Sequence, residues 1–410
     1  MSDLDDFRGE VRAALEERLT PRRHDGSFTV LGAGSDDLEA GRKYLRALAD
    51  GGLAVPTWPR EYGGLGATPA QSSVVAQELA RFDVPDLYPY IIGLAIAGPT
   101  LVDHATPEQC ERWLPAIRTG EEIWCQLFSE PDAGSDLAAL ATRAERDGNS
   151  WMVTGSKVWS SRAHYAQRGL LLARTDPKVP KHSGITAFSL DMRAQGVTVR
   201  PLRQMNGDTH FSEVHFDHAP VSDADRIGVP GEGWRVARTA LTYERGAGAM
   251  GGGGWGGDLK DRLIELARKR GATGDPLARQ RLAATIIELE VARLTARRAR
   301  DAARAGRAPG PEGSGAKLRG SAGFKAAATA ALDLLGPDGI AREPVAEPDE
   351  WEALFQTSPS ISIRGGTDEI QRNIVGERVL GLPSEPRADV DVPFSQLPRT
   401  PRRPDRRAPG

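Results

Sequence analysis

The spacing of apolar and polar residues changes character twice along the chain. Over residues 1–120 the apolar positions recur at helical spacing. One such stretch ends in the pair Gly51 and Gly52, which suits a helix C-cap, and another follows Thr68, which can cap a helix N-terminus. This pattern predicts an N-terminal α-helical domain over residues 1–120.

Short alternating runs replace the helical pattern over residues 121–230, where Gly, Pro and Asp separate them. Alternation with a period of two indicates strands that bury one face. The pattern predicts a small antiparallel β domain. The runs are SWMVTGSKVWSS, GLLLARTD, ITAFSLDM, VTVRPL and EVHFDH.

Long helical patterns return over residues 231–383, where Leu282, Ile286 and Leu289 lie near helical spacing. They predict a C-terminal helical bundle, and the fold class is therefore α+β multidomain. The glycine-rich run Gly246–Gly257 predicts a kink or loop, because each interior Gly costs a helix about 1 kcal/mol relative to Ala.

The segment 384–410 combines proline and arginine with few apolar residues. Such a composition buries too little apolar surface to offset the entropy of ordering. We expect this tail to be disordered, or to form an arm on a neighbouring subunit.

Composition narrows the class of partner. The 410 residues contain 53 Lys and Arg and 56 Asp and Glu, for a net charge of -3, which offers no general attraction for nucleic acid or an anionic membrane. A small-molecule partner is favoured. Two cysteines and an acidic start predict a cytoplasmic protein without structural disulfides. The longest apolar stretch, Leu87 to Val102, is broken by Pro and Gly and is too short to span a bilayer.

Two stretches carry candidate chemistry. In QLFSEPDAGSDLAAL, Gly134 and Ser135 allow a tight turn with exposed amides, and Ser129 offers a hydroxyl and an N–H. The stretch is either a cofactor or anion cradle or an ordinary polar loop. In GSKVWSS, Trp159 stands before two serines, the second being Ser161. This Trp either packs in the core or forms the wall of a site for a flat aromatic cofactor.

Five segments in order resemble the acyl-CoA dehydrogenase family over about residues 45–382. The resemblance implies an N-terminal α-helical domain, a middle β-barrel and a C-terminal four-helix bundle. It also implies that the cofactor is FAD. The segments are FSEPDAGSD, GSKVWSS, RPLRQMNGDTHFSEVHFD, GEGWRVARTALTYERG and GGTDEIQRNIVGERVLG.

The resemblance also assigns contacts to the flavin ring. Phe128 and Ser129 match residues that contact the ring, with Ser129 near N5. Trp159 matches the aromatic residue that covers one flavin face, and Ser161 matches a hydroxyl residue at the ring edge. No metal ligand is implied.

Four further positions match contacts outside the ring. Thr367 and Glu369 match residues that touch the adenosine-diphosphate half of FAD, often across a dimer interface. Ser135 and Arg245 match contacts to coenzyme A. An arginine placed in this way can pair with a phosphate group.

The position of the catalytic base departs from the commonest family pattern. Dehydrogenation of an acyl thioester needs a carboxylate that takes the α proton. The commonest pattern has Glu where this chain has Gly365, and a second family arrangement has it directly before the CoA-contacting Arg, where Glu244 stands. A Glu beside an Arg also makes an ordinary surface ion pair, but the absence of Glu at 365 favours Glu244 as the base. The N–H of Gly365 remains available to polarise the thioester carbonyl.

The sequence therefore predicts FAD-dependent dehydrogenation of an acyl-CoA or acyl-carrier thioester to the trans-2-enoyl thioester. The implied partners are an electron-transfer flavoprotein and a second copy of the chain or a related subunit. Two alternatives stay open. One is a non-catalytic or partly competent subunit of a heteromeric complex, and the other is a flavin oxidase or monooxygenase on the same fold.

Overall fold

A computed structural model describes residues 3–22, 36–247, 259–305, 310–311, 313–339, 341, 350–387 and 389–398. Helices form the N-terminal and C-terminal parts of these residues, and a β-sheet lies between them, which confirms the predicted fold class. Most of the predicted kink or loop at Gly246–Gly257 lies outside the described residues. Within the described ranges, no helix has the length and apolar character needed to cross a membrane.

Six helices form the N-terminal part. The predicted cap at Thr68 is confirmed, because its side chain accepts a hydrogen bond from the N–H of Gln71 while the Gln71 side chain accepts one from the N–H of Thr68. Gly52 takes a φ of +68° just after the second helix, as the glycine pair predicted. The helices are α1 (Asp3–Glu16), α2 (Leu38–Ala49), α3 (Pro69–Leu79), α4 (Tyr88–Ile92), α5 (Gly98–His104) and α6 (Pro107–Arg118).

The middle part is an eight-stranded sheet in the order β6-β7-β3-β2-β4-β5-β8, with β1 also paired to β4. The strands are β1 (Trp124–Leu127), β2 (Arg143–Asp147), β3 (Ser150–Ser161), β4 (Arg168–Arg174), β5 (Ile185–Asp191), β6 (Val197–Leu202), β7 (Phe211–Ser222) and β8 (Arg226–Ile227). The prediction of an antiparallel domain is wrong for β1 and β4, which pair in parallel with Trp124 opposite Arg168. The β2–β3 hairpin lies between them in sequence and provides the crossover that a parallel pair requires.

Helix α7 (Gly233–Ala247) follows the sheet and packs against α5 and β5. Its side chains Val236, Ala237 and Ala240 are buried in the same apolar core as the N-terminal helices and the sheet. We call this cluster the first core. The predicted domain boundary at residue 230 falls before α7, yet the apolar face of α7 belongs to the first core.

Four helices then form the predicted bundle: α8 (Leu259–Lys269), α9 (Pro276–Arg304), α10 (Gly313–Leu335) and α11 (Glu350–Ile361). Its buried apolar cluster, here called the second core, is built from Leu263, Phe324, Trp351 and neighbouring residues. Small side chains on α10, such as Ala327, are fully buried and permit close helix contacts. The short helix α12 (Asp368–Ile374) follows the bundle.

Part of the C-terminal tail packs against the sheet. Residues 389–398 include Phe394, which is buried, and Pro393, which forms a β-bridge with Pro180. The prediction of a disordered tail is wrong for this segment, because one aromatic side chain finds a buried site. Residues 399–410 lie outside the described part of the chain.

Candidate active site

Helix α7 carries Glu244 and is fixed to α5 by two side-chain contacts. The Tyr243 hydroxyl donates to Oδ2 of Asp103 at 2.9 Å, and Nε2 of His104 lies 2.8 Å from Oγ1 of Thr239. Burial and the Asp103 carboxylate raise the pKa of Tyr243 to about 12, so the phenol remains a donor near neutral pH. The residue before Glu244 is therefore held in place from the N-terminal domain.

Glu244 and Gly365 lie side by side although they are far apart in sequence. A β carbon built on Gly365 would lie 3.9 Å from Oε1 of Glu244. Nε2 of Gln126, on β1, donates to Oε2 of the same carboxylate at 3.4 Å. The half-buried carboxylate of Glu244 thus occupies space next to where a side chain at position 365 would begin.

The loop before α12 has an unusual backbone. Gly365 and Gly366 have φ values of +64° and +84°, a region that residues with a β carbon rarely adopt. Nε2 of Gln371, whose side chain is buried, donates to the carbonyls of Gly365 at 3.1 Å and Gly366 at 3.5 Å. This amide fixes the direction of the loop peptides beside Glu244.

The two predicted contacts to the adenosine-diphosphate half lie at the start of α12. The Thr367 hydroxyl accepts from the N–H of Ile370 at 3.2 Å and caps the helix. Glu369 is exposed and pairs with Arg372 at 3.3 Å. Thr367 is half-buried, and the contacts of both residues with FAD stay a prediction.

Phe128 and Ser129 are held against β3. The buried Nζ of Lys157 donates to the carbonyl of Phe128 at 2.9 Å, and the N–H of Val158 donates to the carbonyl of Ser129 at 2.9 Å. In a trans peptide the carbonyl and the following N–H point in opposite directions. The N–H of Ser129 is therefore turned away from Lys157.

Lys157 forms a buried ion pair with Glu130. Its Nζ lies 2.8 Å from Oε1 of Glu130, and the Lys157 side chain is 0% exposed. The Glu130 carboxylate also accepts from the N–H groups of Ala141 and Thr142, at 2.7 Å and 2.9 Å. Burial lowers the pKa of Lys157 below its usual value. Burial alone would raise the pKa of Glu130, but Lys157 and these donors together outweigh burial, so the pKa of Glu130 is also lowered. Through the bond from Nζ of Lys157 to the Phe128 carbonyl, the pair holds the Phe128–Ser129 segment.

Trp159 is not a core residue. Its side chain is 60% exposed, its φ is +63°, and its ring meets Phe211 edge-on at 5.9 Å. Strained backbone of this kind is concentrated at functional sites. The Ser161 hydroxyl lies 3.4 Å from the Tyr88 hydroxyl. An exposed indole on β3 next to serine hydroxyls fits a flat aromatic ring such as that of FAD.

The two predicted coenzyme A contacts have different surroundings. Ser135 is exposed on the loop between β1 and β2, directly before Asp136, whose carboxylate lies 2.7 Å from Nζ of Lys181. The backbone of Arg245 belongs to α7, and its side chain lies outside the described part of the structure. Among the described residues, no group of His, Cys, Asp or Glu side chains is arranged to bind a metal ion.

Sequence reasoning missed four residues that position the predicted ones. Gln126 is a polar residue in the otherwise apolar strand WCQL, and Lys157 stands in the same alternation as the buried Trp151 and Val153; both contrasts are usable signals. Gln371 lies within the closing motif, where its role as a backbone clamp has no local signature. Tyr88 is followed by Pro89 in a mixed apolar stretch, and no pattern marks it.

Three acyl-CoA dehydrogenase domain profiles match the chain in order. The N-terminal domain matches residues 2–121, the middle domain 125–219 and the C-terminal domain 231–380. Among curated relatives from Mycobacterium tuberculosis, acyl-CoA dehydrogenase IpdE1 is 39% identical over 392 residues, covering 94% of this chain and 99% of the relative. Acyl-CoA dehydrogenase FadE34 is 43% identical over 342 residues, covering 82% of this chain and 46% of the relative.

Solved structures agree with the sequence matches. The Tcur3481-Tcur3483 steroid ACAD is 28% identical with a TM-score of 0.76, covering 93% of this chain and 98% of that one. The ChsE4-ChsE5 complex from Mycobacterium tuberculosis is 26% identical with a TM-score of 0.74, covering 94% and 99%.

Proposed function

This chain belongs to the acyl-CoA dehydrogenase family, whose members use FAD, and we propose that it converts an acyl-CoA to the trans-2-enoyl-CoA with Glu244 as the base. The observation that carries the proposal is the proximity of Glu244 to Gly365. Oε1 lies 3.9 Å from the position of a β carbon at 365, so the carboxylate reaches the region that a Glu at 365 would address.

Each residue near the thioester then has a distinct task. The Glu244 carboxylate takes the α proton, and the N–H of Gly365 donates to the thioester carbonyl, which stabilises the charge that develops there. When bound, FAD would supply the acceptor for the hydride that leaves the β carbon. Gln126 orients the Glu244 carboxylate through the 3.4 Å hydrogen bond.

We assign the binding of FAD and substrate to the remaining matched residues. Phe128, Ser129, Trp159 and Ser161 would hold the flavin ring, which the exposed indole of Trp159 supports. The adenosine-diphosphate half would contact Thr367 and Glu369. Ser135 and Arg245 would contact coenzyme A.

We propose that a bulky, branched or ring-bearing acyl group fits this site better than a straight medium chain. The support from the sequence is a glycine-rich run that begins two residues after Glu244 and carries little side-chain volume. One similar protein is named a steroid ACAD, which agrees with a large acyl group. Turnover of butyryl-CoA or octanoyl-CoA that equals or exceeds turnover of every bulky thioester would exclude this assignment.

We further propose that the chain works in an oligomer and passes electrons to an electron-transfer flavoprotein. Leu277, Ile287 and Leu294 of α9 are large apolar residues more than half exposed in the single chain, which favours association. Some similar structures are complexes of two differently named chains, so the second subunit is either another copy or a related chain. Size measurement of the purified chain, with its flavin spectrum, separates these cases.

The test of the proposed function is anaerobic flavin reduction with a panel of acyl-CoA thioesters. Glu244→Gln keeps the shape of the side chain but removes the proton acceptor, so reduction should slow by about 10²- to 10⁴-fold. The matched control is Glu232→Gln, which makes the same change at an exposed position just before α7. Flavin content should be the same in all three proteins.

Two results would contradict the proposal in different ways. If Glu244→Gln reduces its flavin as fast as the wild type, the base lies elsewhere. If no acyl-CoA bleaches the wild-type flavin while the protein holds FAD, the chain is not a competent dehydrogenase by itself.

A further inference from the structure

The segment 389–398, here called the C-terminal strap, lies along the connection between β4 and β5. The N–H of Phe394 donates to the carbonyl of Val179 at 2.9 Å, and the N–H of Ser395 donates to the carbonyl of Pro177 at 2.8 Å. The strap therefore makes backbone hydrogen bonds with a loop of the middle domain. These bonds give it a defined position on the sheet.

The first side-chain link from the strap passes through Arg174. The Phe394 ring is 7% exposed, and Cζ of Arg174 lies 3.9 Å from its centre. The same guanidinium donates to the carbonyl of Ala138 at 2.7 Å and to that of Leu140 at 3.1 Å. Burial lowers the pKa of Arg174 to about 10, so it remains a cation near neutral pH. Phe394 thus packs on a cation that fixes the backbone of residues 138–140.

The second link passes through Lys181. Its Nζ lies 2.5 Å from Oδ2 of Asp389 in the strap and 2.7 Å from Oδ2 of Asp136. Lys181 is 7% exposed, so its charge needs compensation by nearby carboxylates. Burial alone would lower the pKa of Lys181, but the two carboxylates raise it. Asp136 directly follows Ser135 in the chain.

Both links end on the same short segment, residues 136–140, which continues the loop of Ser135. We propose that the C-terminal strap positions the Ser135 loop to contact the adenosine-phosphate portion of coenzyme A. The inference depends on the proposed function, in which Ser135 contacts coenzyme A. The strap residues act as positioning residues, because Asp389 acts through Lys181 and Phe394 acts through Arg174.

A structural role alone has a different signature. If the strap only covers apolar surface, its loss lowers the stability of the protein and weakens the binding of every ligand to the same extent. If it positions the coenzyme A contact, its loss affects ligands with the adenosine-phosphate portion more than ligands that end at pantetheine. The two cases are therefore distinguished by comparing the affinities of the two kinds of ligand, and not by measuring stability.

The perturbation is the double variant Asp389→Asn/Phe394→Ala in the full-length FAD-bound protein, which removes both links. The matched control is Asp391→Asn/Ser395→Ala, which changes two exposed side chains of the strap and the same charge. Calorimetric titration with free coenzyme A and with pantetheine measures binding without any turnover. Hydrogen exchange reports on the amides of residues 136–140.

We expect the double variant to bind coenzyme A about tenfold more weakly, which is the scale of losing one or two positioned hydrogen bonds. Pantetheine binding should change by less than about twofold, and the amides of residues 136–140 should exchange faster. Unchanged coenzyme A affinity, or an equal loss for both ligands, would overturn the inference. If the double variant does not fold, Asp389→Asn removes the strap carboxylate of the second link and leaves the contact between Lys181 and Asp136 in place, and the same comparison applies to it.

Failure of this inference differs from failure of the proposed function. The titrations use coenzyme A and pantetheine only, so they give a result whether or not the flavin is reduced by an acyl-CoA. If the wild type reduces its flavin with an acyl-CoA but the double variant binds coenzyme A as tightly as the wild type, the proposed function stands and the proposed role of the strap is refuted.

Discussion

The buried pair Lys157–Glu130 links the stability of the middle domain to the flavin site. Lys157→Met removes the ammonium but keeps an unbranched side chain of similar length. It leaves the Glu130 carboxylate, 9% exposed, without its cation and the Phe128 carbonyl without its 2.9 Å donor. Breaking a buried pair by removing one partner typically costs about 3–5 kcal/mol. Because the N–H groups of Ala141 and Thr142 still donate to Glu130, we expect a loss near the lower end, about 3 kcal/mol.

The companion variant is Glu130→Gln/Lys157→Met. A neutral amide at 130 removes the uncompensated charge but has only one oxygen, whereas Glu130 accepts from Ala141 and Thr142 with two different oxygens. We expect the double variant to regain only part of the lost stability, about 1 kcal/mol. Both variants should retain less FAD than the wild type, because each lacks the donor that fixes the Phe128–Ser129 peptide.

The assay is urea unfolding of the FAD-free proteins, followed by circular dichroism, with FAD retention measured separately after gel filtration. A matched control is Lys325→Met, which removes a half-exposed cation in the bundle. Equal stability of Lys157→Met and wild type would refute the argument that this pair is energetically coupled. A double variant no more stable than the single one would show that charge burial is not the cause.

Three further outcomes follow from other contacts. Three arginines lower the pKa of Glu78 from 4.5 to about 2, so the stability that its carboxylate contributes is present above about pH 4.5 and is lost towards pH 2. The difference in unfolding free energy between wild type and Glu78→Gln should therefore shrink as the pH falls through that range, and a constant difference would contradict this. Gly365→Ala should cost about 1–2 kcal/mol because of its φ of +64°, whereas Gly320→Ala, which has open space around it, should not; thermal or urea unfolding of both tests this. Gln126→Leu should slow anaerobic flavin reduction, because the Glu244 carboxylate loses the donor at 3.4 Å that orients it; an unchanged rate would show that this hydrogen bond does not matter.

Much of the fold follows from local patterns. The capping box at Thr68 and Gln71 depends on residues three apart, and the strand runs depend on period-two alternation, so both are readable without tertiary information. Local patterns do not predict that Glu244 and Gly365 lie close together. That prediction came from the resemblance of two separate motifs to one family, since nothing in the spacing alone relates α7 to the loop of Gly365.

The failures have a common physical cause, which is dependence on distant partners. The parallel pairing of β1 with β4 is set by a crossover and not by the residues of either strand. Composition predicts disorder for the tail, but Phe394 and Asp389 each find one specific partner on the sheet domain. Lys157 has the same character, because a lysine inside a strand gives no sign of which carboxylate will accompany it.

Glu244 and Gly365 belong to helical elements that are anchored in different apolar clusters. Glu244 is on α7, whose apolar face is buried in the first core, while Gly365 follows α11, which is buried in the second core. A thioester held by both residues would act as a thermodynamic bridge between two apolar clusters that are separate among the described residues. Occupancy of the site then makes partial opening of the helical bundle less frequent, because opening would require the substrate to leave. Resistance of the bundle to proteolysis therefore becomes a measure of how fully the active site is filled.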